Sequence, residues 1–292
     1  MAGLTHGPTA LRLTASGVSQ PLYVQVVNRG GIEVHQSSTS MTRGKTLVWD
    51  DEFSSAVSAT RSGAGARYAS AKPVFGGSDD FGDAALTQPT SPDGNLTTLD
   101  SDYLRIRASP LAAGQSDPEE RGRTDQSGLI SSAHTGGSGF SAQYGYFEAR
   151  ILAPAGLGTW PAFWMLSENT LVGASTNGEV DAVELYGQNP HGSCHSSHSY
   201  RSGVDTPVVR CLANNGRTDW ALTWHTYGVS IQPTGTSYYI DGRRVATTGG
   251  LIDRSVPYFF LVDLALGGGW PVDLGPTRST ADLYVDFVRV YV

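Results

Sequence analysis

Three carboxylates, Glu179, Asp181 and Glu184, fall within six residues of the segment NGEVDAVELYG. Their neighbours are apolar and strand-forming. In a regular strand side chains alternate between faces, so Glu179 and Asp181 share one face and Glu184 takes the other. One extra residue between Asp181 and Glu184 restores the phase. A β-bulge in which Ala182 and Val183 oppose a single residue of the next strand puts all three acids on one face. Glu179 and Glu184 then stand like residues four apart, with Cα atoms about 13 Å apart. Leaning inward, their carboxyl groups can approach to about 5–5.5 Å. At that separation one attacks an anomeric carbon to form a glycosyl-enzyme, and the other protonates the leaving oxygen and then deprotonates water. Asp181, about 6–7 Å from Glu179 along the strand, can share a proton with a neighbour and hold the pair in opposite ionisation states. The plainer reading of the segment by itself is three solvated acids on an exposed strand face.

The flanks favour the chemical reading. GTWPAFWML precedes the acids and carries Trp160 and Trp164 around a proline. Core packing is one use of tryptophan; stacking on the apolar face of a sugar ring is another, and paired acids beside a Trp-lined cleft suggest a glycan. SSHSY follows on the expected next strand, where His198 can donate a hydrogen bond near the acids or serve as a structural histidine. The elements that must position these groups are short alternating runs: PLYVQVVN, YLRIRAS, YGYFEARILAP, AFWMLS, WHTYGVSIQP, TSYYIDG, YFFLVDLAL and LYVDFVRVYV read as strands. Asp241-Gly242 marks a hairpin between YYI and RRVATT. No internal repeat and no long amphipathic helix occurs. Many short strands without helices predict an all-β jelly-roll β-sandwich. Residues from about 54 to 95, rich in Gly, Ser, Ala, Asp and Pro, are expected to form long surface loops. The domain is expected over 46–292. Residues 1–45 are either extra strands laid on the sandwich or the remnant of an accessory module, and the alternation in LRLTAS and PLYVQVVN leans toward strands.

Composition narrows the partners. The 292 residues carry a net charge of -7, with 16% charged residues and 36 glycines, which suits a turn-rich β protein. No basic stripe is available to neutralise phosphates, so nucleic acid is not an expected partner; a neutral polymer fits better. No apolar run approaches the length of a membrane helix. The opening MAGLTHGPTALRLTASG lacks the charged start and apolar core of a leader, yet an exported, monomeric protein is the expectation. Cys194 and Cys211 can form a disulfide or remain two buried thiols. The glycines at 267–269 are not a phosphate loop, since no GKS or GKT follows.

From about Leu47 to Val292 the chain resembles glycoside hydrolase family 16, the laminarinase-like branch with a bulged catalytic strand. The resemblance lies in WDDEF, YGYFEARI, GTWPAFWML, GEVDAVELYG, WHTYGVSIQPTGTSYYIDG, LALGGGWP and VDFVRVYV, in that order. It implies a concave glycan cleft and a retaining endo-hydrolase. Glu179 then becomes the nucleophile, Asp181 the assisting acid and Glu184 the general acid/base, with His198, Trp160 and Trp164 as substrate-binding candidates. It also implies a structural calcium on the convex side with Asp286, and Glu52 close by, among its oxygen ligands; no organic cofactor is expected. Three departures alter the expected cleft lining: Leu129 in SGLI where many relatives carry arginine, STN before Gly178 where many carry tryptophan, and Asp263 where asparagine is usual. The expected substrate is a β-1,3- or β-1,3-1,4-linked glucan. The alternatives are a β-galactan or bacterial exopolysaccharide, transglycosylation by the same two steps, and a carbohydrate-binding jelly roll without catalysis.

Overall fold

The computed structural model describes residues 39–76, 81–87, 94–99, 102–213, 220–250, 253, 255–275 and 279–292, and the backbone of 9–15 and 18–24. Two large sheets stack into a jelly roll. The sheet that carries the acids has eight strands, in the spatial order Val204–Ala213, Gly192–Arg201, Thr176–Glu184, Thr159–Ser167, Tyr258–Leu266, Leu129–Ser131, Tyr68–Ala69 and Ala59–Thr60. The opposite sheet runs Arg243–Thr248, Gly235–Ile240, Trp224–Gln232, Gly145–Leu152, Ala281–Tyr291, Tyr103–Pro110, Asp125–Ser127 and Ala84–Leu86. Leu47–Asp51 pairs with Ala281–Tyr291, and Leu96–Leu99 pairs with Tyr103–Pro110. Among the described residues, no helix is long and apolar enough to cross a membrane.

Period-two alternation sorts each strand between two apolar layers. Along Thr159–Ser167, Phe163 and Met165 enter the main core between the sheets. Ala162, Trp164 and Leu166 face the other way and join Leu129, Phe259 and Leu261 in a second cluster. From the opposite sheet Phe147, Ala149, Ile151, Val229 and Ile231 complete the main core. Each fully buried large apolar side chain there contributes about 1.5–3 kcal/mol. The ladder of Ala281–Tyr291 with Gly145–Leu152 skips Asp286, so Leu283 and Val285 before the skip and Val288 and Val290 after it all face the core. The hairpin at Asp241-Gly242 is present, and both residues have positive φ, 49° and 74°, as a tight primed turn requires.

One expectation changes. The stretch from 54 to 95 is not merely surface loop: Ala59–Thr60 and Tyr68–Ala69 extend the acid-bearing sheet, Ala84–Leu86 ends the opposite one, and Tyr68, Ala69, Ala84, Ala85 and Leu86 are buried. Strands of two or three residues are too short to show alternation, which is why the composition dominated the reading. Near the N-terminus, Thr9–Ala15 and Val18–Val24 pair as an antiparallel hairpin that forms its own two-stranded sheet; residues 25–28, the end of PLYVQVVN, lie outside the described residues.

Candidate active site

The acid strand, Thr176–Glu184, carries its register shift between Asp181 and Glu184. Asp181 pairs with Ser196 and Glu184 with Cys194, so Ala182 and Val183 oppose one residue, His195. Val180, Ala182, Val183 and Leu185 all enter the core. Two consecutive inward residues are what return Glu184 to the face of Glu179 and Asp181. The bulge has its own fastening. His195, fully buried, donates from Nδ1 to the Ala182 carbonyl at 2.6 Å, and its Nε2 faces the Ser193 hydroxyl at 3.3 Å. Burial lowers the His195 pKa, so the neutral ring suits this site. Just upstream, Gly178 passes within 2.4 Å, at the position a Cβ would take, of both the Tyr258 hydroxyl and Asp253 Oδ1. Only glycine fits the strand beside that hydrogen-bonded pair.

Three cross-strand rows floor the cleft. They are Asp263–Ala162–Glu184–Cys194, Leu261–Trp164–Asp181–Ser196 and Phe259–Leu166–Glu179–His198. Each row holds one of the three acids. A cavity of about 470 Å³ opens above them, lined by Glu179, Asp181, Glu184, Asp263, Trp160 and Trp164 together with Lys72, Phe81, Asn177 and Tyr200.

Every carboxylate has a distinct set of partners. Glu184 Oε1 accepts the Trp160 indole N–H at 3.0 Å and the Tyr186 hydroxyl at 3.2 Å. Asp181 accepts the Ser196 hydroxyl and lies 3.3 Å from His198 Nε2. Glu179 Oε2 receives the Tyr200 hydroxyl at 3.4 Å. His198 also reaches Asp205 through Nδ1 at 2.8 Å. Burial disfavours the His198 charge, but Asp181, Asp205 and Glu179 outweigh it and raise its pKa to about 10. Burial pushes Glu179 up to about 8, with Asp181 adding to the rise and the His198 cation opposing it. Burial likewise pushes Glu184 up to about 7, with Asp181 adding and the Trp160 and Tyr186 donors opposing. Crowded carboxyls in one cleft cannot all ionise freely, so Glu179 and Glu184 retain protons near neutrality.

The sequence-derived residues divide clearly. Glu179, Asp181, Glu184, Trp160, Trp164 and His198 converge on the cleft. Trp164 serves both readings of tryptophan, since it is buried in the second apolar cluster while lining the cavity. Of the three departures, Asn177 and Asp263 line the cavity; Leu129 does not, being buried opposite Asp263. Asp286 and Glu52 sit elsewhere and do not form the expected set of oxygen ligands. Asp286 Oδ2 takes the Arg150 guanidinium at 2.9 Å, and Glu52 takes Arg289 at 2.6 Å. Side chains already paired with arginine fit a calcium ion poorly. Among the described residues, the only grouping of three carboxylate or imidazole ligand atoms is Glu179, Asp181 and His198, within 4.8 Å of one another. Its strongly basic imidazole favours a proton over a metal. Cys194 and Cys211, directly paired across strands, are joined in a disulfide.

Several site residues escaped the sequence reading. Tyr186 follows Glu184 by two, which is the same-face spacing. Tyr200 follows His198 by two for the same reason. Trp270 packs against both Trp160 and Tyr186, with ring centroids 5.2 and 5.6 Å away; it lies in the segment LALGGGWP, where no role was assigned to it.

Residues 100–280 match the family described as glycosyl hydrolases family 16. The chain is 32% identical over 206 residues to the endo-1,3-1,4-beta-glycanase EglC of Rhizobium meliloti, covering 70% of this chain and 41% of that protein. It is 32% identical over 168 residues to a beta-glucanase of Rhodothermus marinus, covering 51% and 57%. The chain thus spans well under two thirds of the length of these relatives. The structure superposes on that of an endo-beta-1,3-glucanase from Pyrococcus furiosus with a TM-score of 0.66 at 25% identity, covering 85% of this chain and 94% of the other.

Proposed function

The chain belongs to glycosyl hydrolases family 16, and from its site we propose that it is a retaining, endo-acting hydrolase of a β-linked glucan. The observation that carries the proposal is the bulge, which sets Glu179 and Glu184 on one face of one strand with Asp181 between them. In the first step a Glu179 carboxylate oxygen attacks the anomeric carbon. The bond to the leaving oxygen breaks, its electron pair stays with that oxygen, and Glu184 supplies the proton. In the second step Glu184, now a carboxylate, takes a proton from water, the water oxygen attacks the anomeric carbon, and the bond to Glu179 breaks. Two inversions leave the configuration unchanged.

The assignment of roles rests on neighbours. His198 is paired in register with Glu179 and lies beside Asp181, so its cation favours an ionised Glu179. Both glutamates are raised, Glu179 to about 8 and Glu184 to about 7, so these values do not separate the roles. Asp181 stands between the two glutamates on the strand and holds the His198 imidazole at 3.3 Å. Trp160, fixed on Glu184 by its indole N–H, keeps a ring face for a sugar next to the acid.

A β-1,3- or β-1,3-1,4-glucan as the substrate is supported by what the relatives are named for, and by an acidic cleft suited to neutral sugars. Secretion is supported by the Cys194–Cys211 disulfide, a bond that persists in oxidising compartments.

Azide distinguishes the two glutamates. Glu184→Ala should lose about 10²–10⁴-fold on polysaccharide. It should retain activity on an aryl glycoside whose leaving group needs no proton, and azide should yield the β-glycosyl azide. Glu179→Ala should be inactive on both, with azide yielding the α-glycosyl azide. The opposite pattern would exchange the roles, and full activity in either variant would remove the mechanism.

A further inference from the structure

The cleft holds a fourth carboxylate that the two-step mechanism does not use. Asp263 lies in the same cross-strand row as Glu184, with Ala162 between them. Two strand spacings put their backbones about 10 Å apart. Asp263 is 1% exposed yet lines the cavity. Its Oδ1 accepts the Trp164 indole N–H at 2.6 Å, whereas among the described residues no donor meets Oδ2 with hydrogen-bond geometry. Burial pushes this carboxyl up to about 7, against the pull of the Trp164 indole and the Ala265 amide. A buried carboxylate oxygen without a donor is costly, and a ligand that brings a donor relieves the cost.

The direction of the substrate supplies such a ligand. Glu179 and Glu184 flank the scissile bond along their strand, so a glycan passing between them crosses that strand. On one side it runs over Thr159–Ser167 toward Tyr258–Leu266. There the small side chain of Ala162 leaves a gap between Glu184 and Asp263, bordered by Trp160 and Trp164. A sugar ring in that gap presents hydroxyl groups at its edge to Asp263.

Resting on the glycosidase reading, we propose that Asp263 is a specificity-determining residue: Oδ2 accepts a hydroxyl of the sugar seated over Ala162, and the carboxylate disfavours an anionic substituent on that ring. The substrate class is thereby narrowed to glycans that are neutral at this position. Glu179, Asp181 and Glu184 add to the same bias, with Lys72 as the cation in the lining.

Asp263→Asn is the informative variant. Its amide oxygen keeps an acceptor for Trp164, while the second acceptor becomes a donor and the charge is lost. KM and kcat would be measured near pH 8, above the carboxyl's raised pKa, on a neutral β-1,3-glucan and on the carboxymethylated form of the same polymer. Wild type should favour the neutral polymer at least about tenfold in kcat/KM. In D263N the KM for the neutral polymer should rise about tenfold, kcat should stay within about threefold, and the preference should shrink to about threefold or less. An unchanged KM, or an unchanged preference, overturns the proposal. If thermal melting shows that D263N does not fold, Asp263→Ser, which also removes the charge, carries the same comparison: a shrunken preference supports the proposal and an unchanged one overturns it. Hydrolysis of neither polymer by wild type would remove the β-glucan reading itself, and this proposal with it.

Discussion

His198 shows how a single side chain sets the state of the whole site. It stands 3.3 Å from Asp181 and 2.8 Å from Asp205, and it is paired in register with Glu179. Its cation lowers a Glu179 pKa that burial and Asp181 raise. Removing it takes away the larger of the two charges that oppose them, the other being Lys72. In His198→Gln the pKa of Glu179 should therefore rise, and the acidic limb of the kcat/KM profile should move to higher pH. A shift of about one pH unit corresponds to about 1.4 kcal/mol of lost interaction. The alkaline limb, governed by Glu184 holding its proton, should move less. A pH–rate series on both proteins checks this; an acidic limb that stays in place would assign His198 to structure alone. Much of this network was legible in advance, since Glu179, Asp181, Glu184 and His198 are all named by type and spacing. Asp263 was visible only as an unusual residue. Its bond to Trp164 joins positions 99 residues apart in sequence, and no local pattern reports such a pairing.

At the scale of the element, the acid strand works because one residue is out of phase. The apolar positions Val180, Ala182, Val183 and Leu185 break strict alternation, and that break is readable from the segment itself. The fastening of the bulge was not. His195 lies three residues before His198 in the same polar run, and nothing local separates the histidine that turns inward from the one that faces the acids. Its 2.6 Å bond to the Ala182 carbonyl satisfies a backbone group at the site of the bulge, and a buried carbonyl left without a donor costs about 1–3 kcal/mol. His195→Ala should lower unfolding free energy by roughly that amount. It should also reduce kcat, because a bulge that slips turns Glu184 away from Glu179. Denaturant unfolding and steady-state kinetics on the same preparation check both. Lost stability with unchanged kcat would show that the bulge holds without this bond.

Across the whole molecule, the two sheets divide the labour. The opposite sheet closes the main core and contributes pairs such as Arg150–Asp286, while the acid-bearing sheet exposes a face whose three rows each carry one of Glu179, Asp181 and Glu184. The long strands were legible as segments because alternating and β-branched or aromatic runs mark them. The short strands between 54 and 95 were not, because two or three small residues look like loop whether or not they pair. The disulfide was undecided from spacing alone, since it depends on Cys194 and Cys211 meeting across neighbouring strands. Four of the chain's 27 acidic residues, Glu179, Asp181, Glu184 and Asp263, line one cavity together with Lys72. The central claim is that Glu179 and Glu184 act in turn at one anomeric carbon. Its most direct test is the configuration of the first-formed product, followed by proton NMR during early hydrolysis of a β-1,3-glucan oligosaccharide before mutarotation. The account predicts a new reducing end that appears as the β-anomer and only later equilibrates; initial appearance of the α-anomer would contradict it.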